Sequence, residues 1–270
     1  MAENQVTRIA LVVEYNGQGY SGWQSQHHAP SVQQCLEDAL SRVANHPVNV
    51  TAAGRTDAGV HALAQVVHFD TAASRPDHAW LLGCNSNLSR DISVAWAGVP
   101  GPEFHARYSA TARHYRYIIC DRRARPALLD GRAAWYHYAL DARIMHQAAQ
   151  HLLGEHDFTS FRAAHCQSHT PFRNIHSLSV QRQGELVVVD VCANAFLHHM
   201  VRNIVGVLMA VGRGEQPSSW VGEVLAARAR TSAGITAPAG GLYFLGPVYP
   251  EHYNIPSPVS GTTLLAPAWR

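Results

Sequence analysis

Arg8-Ile9-Ala10-Leu11-Val12-Val13-Glu14-Tyr15 is an apolar run of strand length, and Ser31-Val32-Gln33-Gln34-Cys35-Leu36 opens a helix after it. Ser31 and Gln34 stand at capping-box spacing, and Val32, Cys35, Leu36, Ala39, Leu40 and Val43 follow the helical period. Outward from this pair, the pattern predicts strands near 48–53 and 64–69, a helix near 78–88 and a strand near 92–98. The order β-α-β-β-α-β is that of a ferredoxin-like split βαβ unit. Pro100-Gly101-Pro102 then reads as a boundary.

The second half has the same order of elements without evident sequence identity to the first. A long strand is expected over 106–120 and a helix over 141–153. Strands over 173–182 and 185–193 are joined at Gln183-Gly184. An apolar helix over 199–211, a helix over 217–229 and a strand over 241–245 complete the plan. The expected class is α+β: two ferredoxin-like subdomains, 1–104 and 105–246, whose antiparallel sheets flank a central cleft. A proline-rich tail, 247–270, is expected on the surface.

Composition narrows the function classes. Of 270 residues, 47% are hydrophobic, which supplies a core and argues against intrinsic disorder. No apolar run approaches the roughly 20 residues that cross a bilayer. Met1-Ala2-Glu3-Asn4-Gln5 lacks the basic start and apolar stretch of a signal peptide, so a cytoplasmic protein with no membrane partner is expected. Five scattered cysteines with no C-x-x-C suggest neither a disulfide framework nor a cysteine zinc site. The formal charge is only +2, yet all 21 basic residues are arginine, whose rigid fork fits phosphate and stacks on bases, though GC-rich coding alone gives the same usage.

Three segments carry chemistry. Gly54-Arg55-Thr56-Asp57-Ala58-Gly59-Val60-His61-Ala62 sets an arginine and an aspartate on a glycine-flanked loop between strands. In Arg113-His114-Tyr115-Arg116-Tyr117, strand alternation puts Arg113, Tyr115 and Tyr117 on one face and His114 and Arg116 on the other. Basic and aromatic groups on one strand suit RNA, and the strand taken alone also reads as an amphipathic edge strand. In Asn194-Ala195-Phe196-Leu197-His198-His199-Met200-Val201-Arg202-Asn203-Ile204-Val205-Gly206, Arg202 is the one charge in an apolar helix that reads as buried. Such an arginine needs a carboxylate, and Asp57 is the candidate. His198-His199 lacks a third ligand at recognisable spacing, so no metal is expected. The Gly17–Gln24 loop lacks G-x-G-x-x-G, so no nucleotide cofactor is expected. Arg122, Arg123, Arg125 and Arg132 form a basic loop, and Phe158 and Phe161 read as core anchors.

Together these segments resemble the TruA family of tRNA pseudouridine synthases, from about Arg8 to Gly246. Glu14-Tyr15-Asn16-Gly17, Gly22-Trp23-Gln24, His156-Asp157-Phe158 and Ala237-Pro238-Ala239-Gly240-Gly241-Leu242 add to the likeness. Asn16 departs from the family's usual aspartate, and His165 from its common glycine. The resemblance implies a homodimer, needing no cofactor, that converts uridine to pseudouridine at positions 38, 39 and 40 of the tRNA anticodon stem-loop. By the same resemblance Asp57 is the catalytic aspartate and Tyr115 lies against the target base. Arg55 helps displace that base, Arg202 partners Asp57, and Leu197 lines the uracil pocket. A protein that binds RNA without acting on it, or a synthase for another RNA, is the alternative reading.

Overall fold

The structure, a computed structural model, describes residues 6–256. The amino-terminal signal-peptide reading and Pro258 and Pro267 of the tail lie outside the described residues. By contact the chain divides into two compact units, one made of residues up to Thr111 with those from Phe244 on, the other of Ala112–Tyr243. No helix among the described residues is long and apolar enough to cross a membrane.

The first unit runs β1 (Thr7–Tyr15), α1 (Val32–Ala44), β2 (Thr51–Ala52), β3 (His61–Thr71), α2 (Asp77–Asn87) and β4 (Ile92–Gly98). The strands lie in the order β4-β1-β3-β2, with every neighbouring pair antiparallel, which is the split βαβ arrangement. Ser31 caps α1 by accepting from the Gln34 N–H, but the reciprocal half of the capping box is missing. The Gln34 side chain instead bonds Ser25 and Asp38. Val32, Leu36, Ala39 and Leu40 are buried as their period requires, while Cys35 is only half-buried.

The strand expected from 106 begins only at Ala112. His105 is the reason. Its Nδ1 accepts from the N–H groups of Arg107 and Tyr108, and its carbonyl accepts from Ser109, which curls the chain out of extended form. The start of the expected surface tail is also packed. Residues to Val248 belong to β10 (Leu242–Val248), and Tyr249 and Tyr253 meet the ring of Phe104 edge-on.

The second unit runs β5 (Ala112–Cys120), β6 (Ala134–Trp135), α3 (Ala142–Ala149), β7 (Gly154–Asp157), β8 (Phe172–Gln183), β9 (Leu186–Ala193), α4 (Met200–Gly212) and α5 (Trp220–Ala227). Strands β5, β9 and β8 stand in the order that β1, β3 and β2 take in the first unit, and β7 adds an edge to β8. Phe158 and Phe161 are fully buried, as anchors should be.

His68 on β3 is expected to make the first unit acid-sensitive. It is 6% exposed, and its Nδ1 accepts the Ala106 N–H at 3.1 Å, which requires the neutral ring. Burial, with the charges of His105 and Arg8, pushes its pKa down from 6.5 to about 4. Between those values the unfolded chain binds more protons than the folded one, so stability falls as pH drops from 6.5 towards 4. The loss should approach about 3 kcal/mol. Urea midpoints measured over this pH range should fall in the wild type and stay flatter in His68→Asn, which accepts without titrating.

Candidate active site

The Gly54–Ala62 segment leaves β2 and enters β3, and its backbone is held from several sides. Gln65 donates to the Gly54 carbonyl at 2.7 Å, and the Trp23 N–H donates to Thr56 O at 3.0 Å. The Gly59 N–H donates to Tyr20 O, and the Val60 N–H to Asp57 O. Tyr15 and Thr56 share a buried hydroxyl hydrogen bond of 2.7 Å, and the Gly17 N–H donates to the His61 ring. Burial raises the Tyr15 phenol pKa, so this hydroxyl stays protonated.

Thr56 and Val60 therefore point inward, while Arg55 and Ala58 are exposed and Asp57 is half-buried. The Gly17–Gln24 loop is the clamp. Gly22 has φ +99° and lies so close that an added Cβ would meet Thr56 O at 2.7 Å. At Gly17 an added Cβ would run into the Val60 carbonyl. This loop, which lacks G-x-G-x-x-G, supports the Asp57 turn, a role that its sequence pattern alone does not reveal. Its glycines and Tyr15 were the available signal.

In the second unit, β5 divides its side chains differently from the expectation. Tyr115 is half-buried and meets Phe196 edge-on at 5.0 Å between centroids. Tyr117 does not offer a stacking face: it is fully buried, and its hydroxyl donates to Pro238 O at 2.7 Å. Arg116 is 5% exposed and makes a two-pronged ion pair with Asp190, directly opposite on β9, at 2.6 and 2.9 Å. It is scaffold. Arg113 donates to Asn194 O, tying β5 to the segment that precedes α4.

That segment is fixed before the helix starts. Asn194 accepts from Asn174 and Ala195, and His199 takes a left-handed conformation at the helix N-terminus. Leu197 is buried. Val201, Ile204, Val205 and Leu208 are buried as expected, but Arg202 is only half-buried, correcting the expectation of a fully enclosed cation. Its Nε donates to Ala237 O at 2.8 Å, while the Ala237 N–H donates back to Arg202 O. The buried Asn203 donates to Phe161 O and accepts from Arg230 and Thr236.

The basic loop carries less free charge than its sequence suggests. Arg122 pairs with Glu185 at 3.0 Å and Arg125 with Asp130 at 3.4 Å. Arg123 and Arg132 are exposed.

Comparison with known proteins agrees with the resemblance. The model of a family described as tRNA pseudouridine synthase matches residues 11–109 and 148–250. The chain is 57% identical over 262 residues to tRNA pseudouridine synthase A of Idiomarina loihiensis, covering 97% of this chain and 98% of that one. It is 57% identical over 264 residues to the protein of that name from Cronobacter sakazakii, with 98% of each chain covered. Against that of Tolumonas auensis the identity is 59% over 254 residues, covering 94% of this chain and 97% of the relative.

Proposed function

The chain belongs to the tRNA pseudouridine synthase family and is an isomerase, and from that premise we propose that it converts uridine to pseudouridine in the anticodon stem-loop of tRNA, with Asp57 as the working carboxylate. The observation that carries this reading is the Asp57 turn. Backbone bonds and glycine contacts hold its inward residues, while Arg55 is exposed and Asp57 is half-buried.

The reaction breaks the C1′–N1 glycosidic bond, turns the uracil and joins C1′ to C5. It has no net oxidation and adds no outside group. One carboxylate acting as nucleophile or base therefore suffices, and neither a metal nor a nucleotide cofactor is required. A paired uridine must first leave the stack, at a cost of a few kcal/mol. We assign the exposed Arg55 to displacing that base, and Tyr115, braced by Phe196, to the face of the uracil. Leu197 contributes an apolar wall, and Arg202 partners Asp57. The working unit is a homodimer in the cytoplasm.

The substrate assignment has a direct test. A tRNA transcript with cytidine at its anticodon-arm uridines should give no pseudouridine, while the unaltered transcript is converted. Equal conversion of both would place the target elsewhere in the RNA.

A further inference from the structure

Cys166 and Cys35 are both half-buried, yet their surroundings are opposite. Cys166 lies on the loop before β8, and two arginines organise that loop. Arg162 donates to the carbonyls of Cys166 and Ser168 at 2.8 and 2.9 Å. Arg173 donates to Ser168 Oγ at 2.6 Å and to the carbonyls of Thr170 and Phe172.

The sulfur also touches the candidate site segment. The His198 N–H donates to Cys166 Sγ at 3.4 Å, and His198 O accepts from the Ala163 N–H. Both the N–H and the C=O of His198 are thus latched to this loop, next to Leu197.

A second observation points to an anionic ligand on the same loop. Arg173 is only 8% exposed, and its Nε is buried without a hydrogen-bond partner. Its charge interacts with that of Cys166. An anionic oxygen grown on the sulfur is the type of acceptor this donor lacks.

From this cluster we infer that Cys166 is an oxidant-sensitive thiol, converted by peroxides to sulfenic acid, and that its oxidation releases the latch on His198. The thiolate attacks one peroxide oxygen, the S–O bond forms as the O–O bond breaks, and hydroxide or alkoxide leaves. Sulfur is oxidised by two electrons and the peroxide is reduced by two. Electrostatics agree with the geometry. Burial pushes the Cys166 thiol up, but the N–H groups of His198 and Ser168 and the Arg162 charge outweigh it, and the net shift is downward. At Cys35, burial and the carboxylates Asp38 and Asp91 push the same way, upward.

Cys35 therefore serves as an internal control. The intact protein, without tRNA, is treated with limiting hydrogen peroxide and dimedone, and adducts are quantified by peptide mass spectrometry. Cys166 is expected to label faster than Cys35, because its thiolate fraction is the larger of the two. Hydrogen exchange in residues 194–203 is expected to speed up after oxidation in the wild type and to be unaffected by peroxide in Cys166→Ala. Labelling of Cys35 at an equal or higher rate would overturn the thiol assignment. A labelled Cys166 with unchanged exchange would overturn the latch. Neither readout depends on turnover, so both stand apart from the proposed reaction.

Discussion

Asp57→Asn is expected to abolish pseudouridine formation while leaving the fold and tRNA affinity close to wild type. The amide has the shape of the carboxylate and lacks its charge and basicity. The bonds that fix the turn run through Thr56 O, Asp57 O and the Gly59 and Val60 N–H groups, all of which survive the change. A lost acid–base role alone removes about 10²–10⁴-fold in rate, and loss of a nucleophile leaves no covalent route. Single-turnover conversion of unmodified tRNA, read beside a binding isotherm, separates the two effects. A variant that binds and still converts at the wild-type rate would remove Asp57 from the chemistry.

Asp190→Asn should be among the most destabilising single changes in the second unit. Its carboxylate is 30% exposed, but the guanidinium it pairs with is only 6% exposed. Neutralising the partner leaves the Arg116 charge enclosed without compensation, a cost of about 3 kcal/mol. The urea midpoint should drop accordingly, while the folded fraction binds tRNA with unchanged affinity. This distinguishes scaffold from phosphate contact, because an Arg116 that served RNA would weaken binding when its setting is altered. Unchanged stability with weakened tRNA binding would restore the RNA reading of that strand.

Much of the fold was legible because it rests on local periodicity. The strand Arg8–Tyr15, the helix behind Ser31 and the hairpin at Gln183-Gly184 each have a pattern that reports their own burial. β7 was not legible: Gly154-Glu155-His156-Asp157 has no apolar alternation, and its pairing with β8 supplies what its sequence lacks. Alternation correctly put Tyr115 and Tyr117 in phase, but Pro238, far along the chain, covers Tyr117. In the same way the ion pair with Asp190, a residue distant in sequence, makes Arg116 part of the core. At the candidate site the Asp57 string stood out by composition. The clamp built from Tyr15, Gly17, Gly22 and Trp23 depends on contacts between distant residues, and periodicity carries no trace of those.

The proposed activity, isomerisation of anticodon-arm uridines by this chain's own side chains, can be read directly on the RNA. The most direct measurement is chemical mapping of pseudouridine, at nucleotide resolution, in unmodified tRNA incubated with the purified protein and a metal chelator. New pseudouridine is expected only in the anticodon stem-loop, formed by the wild type and absent with Asp57→Asn. Conversion at uridines outside that arm, or equal conversion by both proteins, would contradict it.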